Sequence, residues 1–256
     1  MTDSPRSFDL RGRVALVTGA GQNVGAEIAR LLAVHGASVA VNDLIAERAT
    51  AVAEEIASTT GARTLGVAAD VTDLESVHAM VRAIEASLGP VDILVNNAGV
   101  PPNPDWEMVP FGRTKPASWK TWVDINMYGV FHCCHATLGG MEERGYGRIV
   151  NIVSDAGRIG EPLFAVYAGA KAGAIGFSKS LAKEAASHGV TVNCVALGNV
   201  SGPSLPVDLA ERLARQYPVG RVGRPADIAP AVLYFASTEA EWVTGQVLPV
   251  NGGYAT

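Results

Sequence analysis

The sequence predicts an α/β fold: a doubly wound sheet of seven strands, mostly or fully parallel, with helices on both faces. Three observations carry that expectation. Short apolar runs alternate with helical patterns of about ten to fifteen residues along the whole chain. Most of the runs close on Gly, Asp or Asn, residues of the turns that lead from strand to helix. No linker, internal repeat or low-complexity tract divides the 256 residues, so 1–256 reads as one domain, long enough to bury a full core.

Composition excludes several function classes. The formal charge of −5 supplies no electrostatic pull toward nucleic acid or an anionic membrane. Three cysteines cannot build a disulfide framework, which favours a reducing compartment. The opening MTDSPRSFDLRGR is polar and unlike a signal peptide or anchor, and no apolar run is long enough to span a bilayer. A cytoplasmic protein is expected.

Taken in order, VALVTGA from Val14 is the first strand and GAEIARLLAVHG from Gly25 the first helix, with Thr18 to Gly25 as a Gly-rich turn between them. Strand, turn and helix form the unit in which helix amides and dipole hold phosphate, here through Gly19, Gln22, Asn23, Val24 and Gly25. The second strand, ASVAVND, ends in Asp43. A carboxylate there accepts hydrogen bonds from an adenosine ribose diol and repels a 2′-phosphate, and the next residues, Leu44 and Ile45, offer no Arg to that phosphate. NAD is therefore expected over NADP. Helix 46–59, strand RTLGVAAD, helix 73–88 and strand VDILVNNAG follow.

Residues 100–116 are rich in Pro and carry Trp106, Met108 and Phe111 after a strand's carboxyl end, where ligands bind in open α/β sheets. They read as a wall of a substrate pocket or as a surface loop folding over its own apolar groups. One long helix is expected from Ala117 to about Arg144, carrying Asn126, before the strand GRIVNIVS. Residues 197–220, after the strand VTVNCVA, form a second Pro/Gly-punctuated segment with one short amphipathic helix and the position of a lid. RPADIAPAVLYFAS is the last helix and GQVLPVNGG the last strand.

Between them lies SDAGRIGEPLFAVYAGAK, with Ser154 at a strand end, Tyr167 thirteen positions on and Lys171 four beyond it. On a helix the i,i+4 spacing puts phenol and ammonium on one face. A phenol's ordinary pKa of about 10 is too high for a base at neutral pH, and a neighbouring cation is expected to bring it down.

The Gly-rich turn, Asp70 with Val71, Asn96-Asn97-Ala98-Gly99, Asn126, Ser154, Tyr167, Lys171 and the closing GRVGRPADIA…TGQVLPVNGG stand in an order and spacing that resemble the short-chain dehydrogenase/reductase family over nearly the whole chain. The resemblance implies a Rossmann fold, hydride transfer with a nicotinamide cofactor, and a homotetramer. It implies that Tyr167 is the general acid/base. Lys171 would lower the phenol's pKa and bond the nicotinamide ribose, and Ser154 would hold the substrate oxygen. It also implies that Asn126 positions a water between Lys171 and solvent, that Asp70 and Val71 contact adenine, and that Asn97 and Val200 line the adenosine and nicotinamide ends.

Two positions depart from the family pattern. Asn23 stands where Gly is usual, and Asn tolerates φ > 0. Leu197-Gly198 stands where Pro-Gly is usual, which is expected to free the backbone toward Val200. His132-Cys133-Cys134-His135 is not expected to hold a metal, because helical neighbours diverge by about 100°. Cys194 reads as a small core residue, and Arg212 and Arg215 as a solvated face. Asp155 and Arg158 either brace their loop or meet a polar substrate group.

The leading expectation is an NAD(H)-dependent enzyme interconverting a secondary alcohol and a moderately hydrophobic ketone, with Trp106, Met108, Phe111, Asp155, Leu163 and Leu205 as substrate contacts. The alternative is a 3-oxoacyl-thioester reductase or 3-hydroxyacyl dehydrogenase, with Arg113, Lys115 and Lys120 near a phosphopantetheine or nucleotide phosphate. A non-catalytic dinucleotide sensor is the reading from another class; it sits poorly with an intact Asn126, Ser154, Tyr167 and Lys171. Tyr167→Phe is expected to abolish turnover and leave NADH binding unchanged by fluorescence titration; retained turnover would remove Tyr167 from the chemistry.

Overall fold

The computed structural model describes residues 7–102, 104, 108–202 and 206–255. Its elements run β1 (Val14–Val17), α1 (Asn23–Val34), β2 (Ser38–Asp43), α2 (Ala46–Thr60), β3 (Thr64–Ala68), α3 (Leu74–Ser87) and β4 (Ile93–Asn96). Then come α4 (Pro116–Val123), α5 (Gly129–Arg144), β5 (Gly147–Ser154), α6 (Asp155–Ile159), α7 (Ala165–Ala185), β6 (Val190–Leu197), α8 (Val207–Ala214), α9 (Pro225–Ala236) and β7 (Val247–Val250). The seven strands lie in the order β3-β2-β1-β4-β5-β6-β7, every neighbouring pair parallel. This is the expected doubly wound sheet. Strand order reverses between β1 and β4, the switch point where such sheets open a crevice at their carboxyl ends.

Periodicity explains the layers. The central strands are buried on both faces and read as near-continuous apolar runs, as parallel strands between helices must. One core packs Ile28 and Leu32 of α1 against Ile228 and Val232 of α9. The other packs Val77, Met80 and Ile84 of α3 with Cys133, Met141 and Leu181. Asp73 stands one residue before α3, and its carboxylate accepts from the Glu75 amide at 3.0 Å, an N-cap.

A polar strand of contacts crosses the second layer. Asn96 donates to Asn151 Oδ1 at 2.8 Å across the β4–β5 register, and Asn151 donates to Ser178 Oγ on α7 at 2.7 Å. Asn151 and Ser178 are buried, so these bonds are made where no water can replace them.

Two expectations need correcting. The helix expected over 117–144 is interrupted by a π turn at Asp124–Tyr128. The Asn126 side-chain amide donates to the Trp122 carbonyl at 3.0 Å, taking the acceptor that the regular ladder would use. Nor is the backbone after Leu197 freed by the missing Pro. Leu197 pairs with both Ser154 and Val250, the Asn199 amide donates to the Tyr217 hydroxyl at 2.7 Å, and Val200 bridges Gly223.

Asn151→Ala strands a donor on Asn96 and removes the donor to Ser178, so it should cost about 2–4 kcal/mol. A urea midpoint unchanged from wild type would show that the network is not a structural tie.

Candidate active site

The cleft is built from strand ends. Thr18 follows β1, and its hydroxyl accepts from the backbone amides of Asn97 at 3.0 Å and Ala98 at 3.1 Å. The Asn97 amide donates back to the carbonyls of Thr18 and Gly19, both at 2.9 Å. This clamp joins the Gly-rich turn to the end of β4. Gly19 has φ +60°, and a Cβ there would lie 2.8 Å from Ala98 Cα, so only glycine fits. Asn23 adopts φ +53°, the left-handed conformation that its side chain tolerates. Asn97 thus braces the turn as well as lining the cleft.

The cleft has a volume of ≈ 300 Å³ and runs from Gln22, Asn23, Val24 and Gly25, past Asp43, Asp70 and Val71 at one end, to Val200, Ser154, Tyr167 and Lys171 at the other. Each Asp43 oxygen accepts one backbone amide, Oδ1 from Ile45 at 3.0 Å and Oδ2 from Gly21 at 3.2 Å, leaving acceptor capacity for a diol. The amino end of α1 faces the middle. An elongated cleft with an acceptor at one end, helix amides at the centre and a phenol–ammonium pair at the other fits a nicotinamide dinucleotide. Arg48, in the first turn of α2, also lines the adenosine end. Inspecting only Leu44 and Ile45 missed it; carrying the helical period one turn past the strand would have found it.

At the other end Ser154 closes β5 and caps α6, its hydroxyl accepting from the Ala156 amide at 3.2 Å. That hydroxyl is also hydrogen-bonded to Tyr167. Lys171, one helical turn beyond Tyr167, is 4 % exposed and donates to the Ile152 carbonyl at 2.8 Å. Its Nζ lies 5.9 Å from the centre of the Tyr167 ring. A Cβ on Gly99 would fall 2.9 Å from Asn126 Oδ1 and 3.1 Å from Lys171 Nζ. Glycine therefore keeps open a gap between two buried polar atoms, and Asn126 Oδ1 has no partner among the described residues.

Electrostatics correct one expectation. Burial pushes Lys171 down to about 8. Burial also raises the Tyr167 phenol, and the Ser154 hydrogen bond only partly opposes this. Desolvation is the larger influence on the phenol, and the Lys171 ammonium, 5.9 Å from the ring centre, does not reverse it. The phenol is thus held in its proton-donating form at neutral pH.

Beside Tyr167 a second, partly open pocket of ≈ 80 Å³ is lined by Phe111, Trp119, Trp122, Leu163 and Phe164, together with Met108. Trp122 meets the Tyr167 ring edge-on, centroids 5.8 Å apart, and Phe111 stacks on Trp119 at 5.1 Å. Leu163 holds φ +72°, a strained backbone for a branched residue. Met108, Phe111 and Leu163 are brought to this pocket; Trp106 and Leu205 lie outside the described residues. Trp119 and Trp122 were not picked out from the sequence, although their i,i+3 spacing was a signal for one helix face. Asp155 is not brought to either pocket. It is 2 % exposed, and its oxygens hold Arg158 and Asn251, each at 2.6 Å, so it braces the loop.

His132 shares a hydrogen bond of 3.0 Å with the Val71 carbonyl, Cys133 and Cys134 are buried, and His135 meets His78 edge-on. Among the described residues no group of three His, Cys, Asp or Glu is placed to hold a metal ion.

Comparisons with known proteins agree over almost the full chain. A family model described as enoyl-(acyl carrier protein) reductase matches residues 19–255. The protein named 3-oxoacyl-(acyl-carrier-protein) reductase FabG of Vibrio cholerae is 42% identical over 249 residues, 96% of this chain and 98% of the relative. The protein of that name from Escherichia coli K12 is 40% identical over the same shares. A crystal structure from Sinorhizobium meliloti 1021, described as a candidate short-chain alcohol dehydrogenase, superposes with a TM-score of 0.89 at 35% identity, covering 97% of this chain and 98% of that one.

Lys171 yields a stability prediction. Its pKa is about 8 folded against an ordinary 10.5, so the unfolded chain binds more protons between those values. Stability therefore rises with pH across that window, and the penalty is complete at neutral pH. Lys171→Met should raise unfolding free energy at pH 7 by roughly 1–3 kcal/mol and lose that advantage above the window. Equal destabilisation at both pH values would contradict the assigned burial cost.

Proposed function

Because the chain belongs to the short-chain dehydrogenase/reductase family, we propose that it is a 3-oxoacyl-thioester reductase, equally able to run as a 3-hydroxyacyl-thioester dehydrogenase, with NAD(H). The family's members are oxidoreductases that work with a nicotinamide dinucleotide. What carries the thioester reading is the naming of relatives at 40% and 42% identity over nearly full length.

A bound nicotinamide dinucleotide supplies the hydride to the carbonyl carbon, or takes it up in oxidation. This chain's residues do the rest. In reduction the carbon–oxygen π bond opens and the oxygen takes the proton of the Tyr167 phenol. Ser154 donates to that oxygen as negative charge develops. Lys171 returns a proton to Tyr167, and Asn126, across the gap that Gly99 leaves beside the ammonium, positions a water that resupplies Lys171 from solvent. Gly19, Gln22, Asn23, Val24 and Gly25 hold the pyrophosphate. Asp43 takes the ribose diol, Asp70 and Val71 flank the adenine, and Asn97 and Val200 line the two ends. Residues 100–116 and 197–220 are read as the substrate loops of one domain spanning 1–256.

Asp43 supports NAD over NADP; Arg48 is the residue that would favour a 2′-phosphate. The second reading is a dehydrogenase of simple secondary alcohols. It is favoured by the apolar, aromatic lining beside Tyr167 and by the description of the S. meliloti structure. No helix among the described residues is long and apolar enough to cross a membrane. With the charge of −5 and three free cysteines, that supports a cytoplasmic location and no nucleic-acid partner. A homotetramer is proposed through α5 and α7, where Tyr128, in the π turn just before α5, is exposed and Gly169 and Gly176 leave room for close approach.

Two measurements test this reading. Acetoacetyl-CoA should be reduced at least about tenfold better in kcat/KM than a simple ketone, with a salt-sensitive KM that Arg113→Ala raises severalfold. Equal turnover of the simple ketone would favour the second reading. NADH should exceed NADPH by about tenfold or more in kcat/KM, and Asp43→Ser should remove most of that preference. Wild-type preference for NADPH, lost in Arg48→Ala, would reverse the cofactor assignment.

A further inference from the structure

We infer that the small pocket beside Tyr167 receives the smaller arm of the ketone and limits it to about three carbons, so that the substrate is a short-chain 3-oxoacyl thioester. The inference deepens the proposed function and rests on Tyr167 standing at the reacting carbonyl.

The geometry is two-sided. Tyr167 is the residue shared by the cofactor cleft and the second pocket. A carbonyl at its hydroxyl with one face toward the cleft can direct one substituent into the pocket and the other away from it. The pocket measures ≈ 80 Å³. A dry apolar cavity that takes benzene is about 150 Å³, and a water's share of liquid volume is about 30 Å³. The space therefore holds a methyl, ethyl or propyl group and not a ring or a longer chain.

Its walls do not yield easily. Trp122 is 8 % exposed and packed edge-on against Tyr167. Trp119 is held at both ends of its ring system: its Nε1 donates to Thr114 Oγ1 at 2.9 Å, and Phe111 stacks on its face. Displacing either indole breaks a hydrogen bond or an aromatic contact, which an extra methylene cannot repay. The mouth is different, for Met108, Phe111 and Leu163 are exposed there, and Arg113 lies on the same 3₁₀ turn as Phe111. The long thioester arm leaves on that side.

The test uses two substrate series. N-acetylcysteamine thioesters of acetoacetate, 3-oxohexanoate and 3-oxooctanoate present a methyl, a propyl and a pentyl arm. The symmetrical ketones pentan-3-one, heptan-4-one and undecan-6-one present ethyl, propyl and pentyl, and symmetry prevents the arms from being exchanged. Wild type should lose about tenfold or more in kcat/KM between the propyl and pentyl members of each series. Trp119→Ala should restore most of that loss. Ala165→Leu, which narrows the pocket from the first turn of α7, should depress the propyl member more than the smallest one and remains informative if the tryptophan variant does not fold. A profile flat or rising with arm length in wild type overturns the inference, whichever series shows it. Turnover of ketones with no thioester turnover sinks the thioester reading alone, and the ketone profile then decides the arm limit. If neither series turns over, quenching of tryptophan fluorescence by the same thioesters decides it: binding that weakens from propyl to pentyl supports the limit, and the opposite order overturns it.

Discussion

A buried ammonium bonded to a strand carbonyl holds this site together. Lys171 is withdrawn from solvent and donates to Ile152, which sits two residues before the Ser154 hydroxyl on β5. The bond therefore sets the distance between the helix that carries the phenol and the strand that carries the serine. The Ser154–Tyr167 hydrogen bond joins the same two elements, and a further tie, Asn151 to Ser178, lies about two helical turns along α7. The interaction is costly, since desolvation works against the charge that makes it useful. Strain of this kind at a site is sustained by the stability of the surrounding layers.

The same desolvation governs the phenol. Sequence reasoning took the nearby cation as the dominant influence on Tyr167, a view that treats charge as if it acted in a uniform medium. In the folded chain Lys171 is buried and Tyr167 partly so, and desolvation raises the phenol's pKa while lowering the ammonium's. A protonated phenol suits a proton donor.

Legibility in the sequence followed the range of the interactions. The sheet and its helices were readable because apolar periodicity and turn residues are local. The Gly-rich turn, Asp43 and the Ser154–Tyr167–Lys171 set were readable because spacing along one strand or helix fixes what they face. The π turn at Asn126 was not, since it depends on a side chain competing for one carbonyl. Arg48, Trp119 and Trp122 left a local signal in their helical spacing, but which pocket each reaches depends on how α2 and α4 pack against other elements. Asp155 carried a polar signal, but its partners include Asn251, far along the chain.

The clamp between Thr18 and Asn97 has a consequence for how the chain is put together. Its partners are separated by 79 positions in sequence, and they meet only when β4 has docked beside β1. Contacts of such long range form late and slowly compared with helices or neighbouring strands. The first strand, turn and helix can assemble as a local unit, yet their glycine backbone stays unbraced until the crossover is complete. A fragment ending before β4 would accordingly carry the phosphate-binding signature without a finished cleft.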